Sequence, residues 1–565
     1  MSDLRFEIEE LRKLRGGYYT PEPIAAFMTR WAIRSGRDQI LEPSCGDGVF
    51  LDAIETRLSG LKPSSRSIGV QICAIEYNRT EAQKAIGRIG ESRTLSQLAE
   101  VSVGDFFEWC KNALDSDKRF DCVLGNPPFI RYQDFPQRQR TVAFGLMARA
   151  GLRPNRLTNM WIPFLISSGL LLKESGRLAM VIPAELFQVN YAAQVRQFLS
   201  RFYQRITIVT FRELVFAGVQ QEVVLLLAEK QSHLEKGIRV IELGGVSDLA
   251  TLRIGPSSIP AKQLDHSQDK WTQYYLERHE IELLREIKQA SVIPVSGQYL
   301  NVDVGVVTGR NEFFVMPEED LVRLGLTDNA VRVIGRSAQL KGVTLTEQDW
   351  RHLQEKSSAW FMINLPDVAK NALPKAAQDY ITHGERKGFQ VGYKCRIRKH
   401  WWAVPSVWKP DAFMLRQVHA FPKLVLNRSS ATATDTLHRV RFINGLPGDV
   451  LASGFLNSMT FAFSEVTGRS YGGGVLTFEP TEAERLPLPI TKTSAFDLEA
   501  IDLLMRQGRI EDILDMNDKQ LLSDQFGLSK KDLKTLRLIW MKLRDRRIHR
   551  RDKPIASRQF ELVLP

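Results

Sequence analysis

The chain has 565 residues, with 77 Lys and Arg against 65 Asp and Glu, a net charge of +12 and an isoelectric point near 9.4. Hydrophobic content of 43% and charged content of 25% exclude wholesale disorder, collagen and coiled coil, and about 150 residues per domain predicts two to four domains. No apolar run reaches the roughly 20 residues of a membrane span. The longest, residues 161–172, reads as a buried helix, and the charged segment MSDLRFEIEELRKLRGG is neither signal nor transit peptide, so a cytoplasmic location is expected.

Up to residue 230, short β-rich runs alternate with helical stretches, the pattern of a doubly wound α/β sheet. Strands are predicted at 39–42, 72–76, 120–125, 177–182, 206–211 and 222–228. Past Lys230 the texture changes to short strands with many Pro and Trp residues. This divides the chain into an α/β domain over 1–230 and a linker region over 231–290 with a helix at HEIELLREIKQ. A mixed α+β domain over 291–493 and a helical basic segment over 494–565 follow, the latter starting near Ser494. In that segment Leu536, Ile539, Trp540 and Leu543 mark a packing face, whereas Arg546, Arg547, Arg550 and Arg551 suit phosphate contact.

Charge is uneven. The first 230 residues carry 30 basic and 25 acidic side chains, residues 231–533 balance, and residues 534–565 hold ten basic against three acidic. A polyanionic partner is implied, but of no single class. Five cysteines (45, 73, 110, 122 and 395) form no CxxC pair and no metal-like spacing with the nine histidines. A reduced compartment and no metal site are expected.

Residues 40–54, ILEPSCGDGVFLDAI, read as strand, glycine turn and helix; Gly46 and Gly48 allow a nucleotide-like ligand close to the backbone. Glu76 ends an apolar strand, where its carboxylate can accept from ribose hydroxyls. Asp105 can accept from an adenine amino group while Phe106 stacks on the base. Together these stations describe an adenosine site, and the missing third glycine of GxGxxG argues against a dinucleotide. In FDCVLGNPPFI, Asn126, Pro127, Pro128 and Phe129 lie just past a buried strand. Asn126 offers its amide oxygen and Pro127 a main-chain carbonyl, two acceptors for the two protons of an exocyclic NH2, and Phe129 offers a face for the heterocycle.

With these motifs the chain resembles the γ-class, TaqI-type adenine-N6 DNA methyltransferases of restriction–modification systems, over residues 16–230 and in that class's order. The resemblance implies a Rossmann-like class I S-adenosylmethionine-dependent methyltransferase domain followed by a mixed α+β target-recognition domain. It places Thr20 of GGYYTPEPIA at the methionine end of the cofactor, and Glu42, Ser44, Cys45, Gly46 and Gly48 in the cofactor turn. Glu76, Asp105 and Phe106 fall at the ribose and adenine, with Pro128 also on the cofactor side. Phe129 stands where Tyr is commoner, and ELVFAGVQQEVVLLL implicates Phe216 in stacking on the extruded base. KCRIRKHWWAVPSVW and three further stretches resemble the target-recognition regions of larger adenine methylases. There Arg396, Arg398 and Lys399 adjoin Trp401 and Trp402, cations and aromatics that suit phosphates and bases. Gly472, Gly473 and Gly474 would let DNA or another domain approach the backbone.

The resemblance thus implies a monomer that methylates a flipped adenine in double-stranded DNA, without a metal or a membrane, beside a separately encoded restriction endonuclease. An RNA or protein-glutamine N-methyltransferase can use the same tetrapeptide and stays open, as does an inactive DNA-binding module with this fold. An amino-cytosine enzyme is less favoured, since Ser usually leads its tetrapeptide. Glu286-Ile287-Lys288 has the E-x-K form of a nuclease triplet but lies in a helical stretch without an upstream Asp partner, so no cleavage is expected.

Overall fold

The computed structural model describes residues 19–61, 71–188, 192–213, 215–216, 222–254, 261–262, 270–290, 292–356, 360–471 and 474–549. The chain divides between Leu276 and Glu277 into two compact units.

The first unit is built on eight strands: β1 (Ile40–Glu42), β2 (Ile72–Glu76), β3 (Ala99–Val103), β4 (Phe120–Gly125), β5 (Leu172–Pro183), β6 (Arg205–Phe211), β7 (Val223–Glu229) and β8 (Gly237–Leu243). They lie in the order β3-β2-β1-β4-β5-β7-β6-β8. Strand β7 runs antiparallel to β5 and β6, and every other pair is parallel. Helices cover the sheet, so β6 and β7 are buried along their whole length, which is why RITIVTF and VVLLLAE are nearly unbroken apolar runs rather than alternating ones. The helix Glu22–Ala32 contributes Ile24, Ala25, Phe27, Met28 and Ala32 to the core, and Val49–Ser59 contributes Phe50, Leu51 and Ile54. The apolar run at 161–172 is a helix, Trp161–Leu170, in which every residue from Trp161 to Gly169 is buried.

The strand order reverses direction between β1 and β4, since β1 is flanked by β2 on one side and β4 on the other. In an open α/β sheet such a switch point opens a crevice outside the carboxyl ends of the strands. The motifs at 42–48 and 126–129 both follow those two strand ends.

The boundary expected at residue 230 falls too early. Strand β8 pairs in parallel with β6 from Arg205↔Gly237 to Phe211↔Leu243 and completes the first unit's sheet. As an edge strand it is only partly buried, so it lacks the apolar run that marks its neighbours. The expected linker helix is Arg278–Gln289, and it belongs to the second unit, with Ile281, Leu284 and Ile287 buried. The segment from 494 is not separate either. Its helices Leu498–Arg506, Ile510–Asn517 and Lys530–Ile548 are integral to the second unit: Asp502 accepts from the main-chain N–H groups of Val343 and Thr344, and Arg506 pairs with Asp349. Asp497, not Ser494, caps the first of these helices. The second unit also carries a five-stranded, a four-stranded and a three-stranded sheet.

In the helix Lys530–Ile548, Leu536, Ile539, Trp540 and Leu543 are buried, as their spacing predicts. Arg547 is buried as well, which corrects its expected role on the cationic face. Its Nη2 lies 2.6 Å from Glu465 Oε1, both side chains are almost fully enclosed, and Nη1 donates to the carbonyls of His419 and Gly474. One turn past Leu543, position 547 returns to the packing side, so the long side chain points inward. Gly474 explains part of the glycine run: its φ is +74°, and a Cβ there would stand 3.1 Å from the Arg547 carbonyl oxygen. Its close approach is thus to this helix. Arg550, Arg551, Gly472 and Gly473 lie outside the described residues.

Arg547→Ala would leave the Glu465 carboxylate buried and unpaired, a loss of about 3–5 kcal/mol. The expected result is a lower urea midpoint and faster hydrogen exchange across Lys530–Ile548, largely restored when Glu465→Leu is added.

Candidate active site

Three strand ends build the site. After β1, the chain turns through Pro43–Gly48 with Gly46 at φ +53° and Gly48 at φ +97°, left-handed conformations that only glycine adopts without strain. Gly48 is also tightly placed, since a Cβ would lie 3.1 Å from Arg88 Cδ and 3.4 Å from Ala85 Cα. The turn is anchored on β2. Cys45 N donates to Ile75 O at 2.9 Å, and Gly46 N donates to Glu76 Oε2 at 2.9 Å. The other oxygen of Glu76 accepts from Asn78 N at 2.7 Å. Glu76 is therefore held rigidly by the backbone, with lone pairs to spare on each oxygen, as a receiver of ribose hydroxyls requires.

After β3, Asp105 caps the helix Phe106–Asp115 by accepting from Glu108 N at 2.9 Å. Burial pushes its carboxyl up despite that bond. Phe106 departs from expectation. Its ring is buried and stacked on Phe164, 4.9 Å between centroids, so it packs into the core and offers no open face to an adenine. What Phe106 brings to the strand end is its main-chain N–H, in the first turn of the helix where such donors have no intrahelical partner.

After β4 comes the tetrapeptide, tied to two earlier segments. Asn126 Nδ2 donates to Thr20 Oγ1 at 3.2 Å, and Ser44 Oγ donates to the Asn126 carbonyl at 3.1 Å. With its nitrogen committed to Thr20, the Asn126 amide has its oxygen as the acceptor. Pro127 is buried, and Pro128 and Phe129 are half-buried, Phe129 packing on a core cluster that also contains Phe216. Phe216 is itself buried in that cluster, so its ring shows no face to a base in this conformation. An aromatic ring without a stacking partner is more stable inside the apolar core.

Glu42 is the least conventional group. Its side chain is fully buried, and neither carboxylate oxygen has a hydrogen-bond partner among the described residues. Burial pushes its carboxyl well above the usual range, and the nearby carboxylates of Glu76, Asp47 and Asp52 push it further. Such a group needs either a proton or a cation. Three carboxyls at neighbouring strand ends, Glu42, Glu76 and Asp105, beside a turn with two glycines, suit a positively charged nucleoside such as S-adenosylmethionine. The Cys45 thiol is pushed far up by burial and by the carboxylates of Glu42, Glu76 and Asp47.

The residues expected to touch DNA separate into two groups. Arg396 and Lys399 are exposed. Trp401 and Trp402, by contrast, are 9% and 7% exposed and belong to a core cluster of the second unit, which corrects their reading as base contacts: two large apolar rings bury themselves. Arg398 turns back to donate to the carbonyls of Val307 and Thr308 at 2.9 and 2.8 Å. Arg546, in the C-terminal helix, is half-buried. A cationic stretch went unnoticed in the sequence. Residues 131–156, which follow the tetrapeptide, hold six arginines against Asp134 alone, and Arg131, Arg138, Arg149, Arg153 and Arg156 are exposed.

Comparison with known proteins places this arrangement. Residues 70–216 match the Eco57I restriction-modification methylase family, and residues 268–522 match the C-terminal domain family of the type II methyltransferase M.Eco57I. The type II methyltransferase M.AccI of Acinetobacter calcoaceticus is 22% identical over 493 residues, 84% of this chain and 85% of that protein. M.XamI of Xanthomonas campestris pv. amaranthicola is 23% identical over 492 residues, with the same coverage of both. Among solved structures, the type IIL restriction-modification enzyme MmeI, determined in complex with DNA, superposes with a TM-score of 0.59 at 13% identity, over 92% of this chain and 73% of that one. With two restriction–modification methylase domain models matched in order along one α/β-first chain, and type II methyltransferases similar to it over most of its length, the protein is a restriction–modification DNA methyltransferase with S-adenosylmethionine as its methyl donor.

Proposed function

We propose that this chain methylates N6 of an adenine flipped out of duplex DNA at a specific site, and that the mark protects the DNA from a separately encoded endonuclease. In this reading it acts in the cytoplasm as a monomer. The observation that supports it most is the fixed acceptor at the end of β4: Asn126, locked through its amide nitrogen to Thr20 and through its carbonyl to Ser44. An acceptor oriented in advance, next to a second one on Pro127, suits an NH2 group and leaves little reorganisation to the reaction itself. N6 of a stacked, paired adenine is out of reach, so the base must be extruded. When bound, S-adenosylmethionine supplies a methyl group on a positively charged sulfur.

Asn126 Oδ1 and the Pro127 carbonyl accept the two amino protons and hold the nitrogen with its lone pair directed out of the ring plane. Phe129 gives the adenine one face, and Phe216 covers the other by leaving the core cluster when the base enters. Methyl transfer would form the N–C bond at the expense of the S–C bond, leaving a neutral thioether, and the nitrogen would shed one proton, which Asn126 Oδ1 and the Pro127 carbonyl would pass to water, since neither is basic enough to keep it. Glu76 would accept from the cofactor's ribose hydroxyls and Asp105 from the cofactor's adenine amino group, while the Phe106 N–H would donate to the ring nitrogen beside it. Glu42 answers the cofactor's positive charge.

Asn126→Ala should lower methyl transfer to duplex DNA by about 10²–10³-fold or more, measured with labelled cofactor, while cofactor affinity by calorimetry stays within threefold. Wild-type turnover by this variant would refute the assignment, and label appearing in RNA or protein instead of DNA would redirect it.

Glu42 yields a pH prediction. Its raised carboxyl is protonated in the free protein over more of the pH range than an exposed one, and a cationic ligand favours the ionised form. Cofactor affinity should therefore rise with pH through the Glu42 titration and level off above it. Binding should release protons, seen as a dependence of calorimetric heat on the buffer. Glu42→Gln should abolish both the slope and the release.

A further inference from the structure

Around residues 386–399 the second unit exposes an unusual combination. Val391, Tyr393 and Ile397 are 67%, 64% and 59% exposed, three large apolar side chains within seven residues. Arg386, Lys387, Lys394, Arg396 and Lys399 are exposed around them, and no acidic residue interrupts the run from Arg386 to Lys399. Isolated exposed apolar residues are ordinary, but a cluster of this kind marks a contact surface.

The backbone beneath the cluster is fixed. Cys395 is buried in the core cluster, and Phe389 packs against Phe313 at 5.7 Å. Arg398 straps the segment to Val307, Thr308 and Trp401 through their carbonyls. Gly309, at φ +82°, lets the chain pass so closely that a Cβ there would stand 2.7 Å from Lys394 Cβ. The apolar tip is thus a rigid projection from a packed base, not a frayed loop.

We propose that this projection is a DNA-reading element in which Tyr393 and Ile397 contact base edges or wedge at a base step while Lys394, Arg396 and Lys399 hold the flanking phosphates. The inference rests on the DNA-methyltransferase reading above. The charge complementarity selects a polyanion, and the apolar tip selects one with an apolar surface between two charged walls, which is a groove of duplex DNA. The cations act on any sequence alike, because phosphates carry no sequence information; the tip acts on particular steps. Specificity-determining residues are thereby assigned to Tyr393 and Ile397, where the tryptophans of the same segment are shut inside.

The two roles separate experimentally in the full-length chain with S-adenosylmethionine present. The test duplexes are the site found by sequencing DNA that the wild-type protein methylates, and copies of it with single base-pair changes. The Tyr393→Ala/Ile397→Ala variant should lose at least tenfold of the kcat/KM ratio between the true and altered sites, with its salt slope unchanged. The Lys394→Gln/Arg396→Gln/Lys399→Gln variant should bind all duplexes more weakly, with discrimination kept and the slope of log K against log salt reduced by about 2–3. All five side chains are exposed, so the thermal midpoint of both variants should match the wild type. Unchanged discrimination in the first variant, or a change in oligomeric state with DNA binding intact, would overturn the proposal and point to a protein-docking patch. Failure of the wild-type chain to methylate any duplex would instead overturn the underlying function, and the DNA-reading role with it.

Discussion

Asn126 is held by partners 106 and 82 residues earlier in the chain, Thr20 and Ser44, and the rest of the site depends on that pair of bonds. An asparagine at a strand end would otherwise sample several rotamers and hydrogen-bond its own neighbouring backbone. Committing its side-chain nitrogen to the Thr20 hydroxyl determines which atom of the amide acts as acceptor, and the Ser44 hydroxyl holds its main-chain carbonyl. The parallel sheet makes this possible. Strands β1, β2 and β4 all end at the same edge, so residues remote in sequence reach hydrogen-bonding distance without any long excursion of the chain. Two flanking prolines remove backbone donors that would compete for the same acceptors.

The same edge gathers three carboxyls that are partly or wholly withdrawn from water. Glu42, Glu76 and Asp105 are each pushed up by burial, but they are satisfied to different degrees. Main-chain N–H groups serve Glu76 and Asp105, while Glu42 has none among the described residues. A buried carboxyl left without donors destabilises the folded chain unless a proton or a cation accompanies it. In the function proposed above, Glu42 serves ligand binding rather than stability, and a cationic cofactor is the ligand class that suits it.

Much of this was legible in the sequence. β2 and β4 fall at the residues predicted, because buried parallel strands bounded by acidic or glycine residues carry a strong signal. β5 was predicted at 177–182 but starts at Leu172, since LKES at its beginning is polar and half-exposed. The end of the first unit was missed because β8 is an edge strand without an apolar run. Among side chains, the errors have one cause. Phe106, Trp401, Trp402 and Arg547 are read from the sequence by what their chemistry could contact, and all four are buried. Neither motif nor periodicity reports which way a ring or a long side chain points.

That lesson bears on where the positive charge acts. The C-terminal helix holds much of the net excess, yet several of its cations are already paired within the second unit. Arg537 binds Asp515 and Asp518, Lys542 binds Glu280, Arg544 binds Asp545, and Arg547 is enclosed with Glu465. A cation engaged in an internal pair releases no counterions when a phosphate approaches, so it adds little to a salt-dependent affinity. Exposed cations with few acids in the same stretch occur at 131–156, although Arg149 there is paired with Asp115, and at 386–399, one following the Asn126–Phe129 tetrapeptide and the other surrounding an apolar tip. Net charge marks the chain as a partner of polyanions. In the proposed function, the placement of exposed cations rather than the net charge decides which surfaces meet the phosphates.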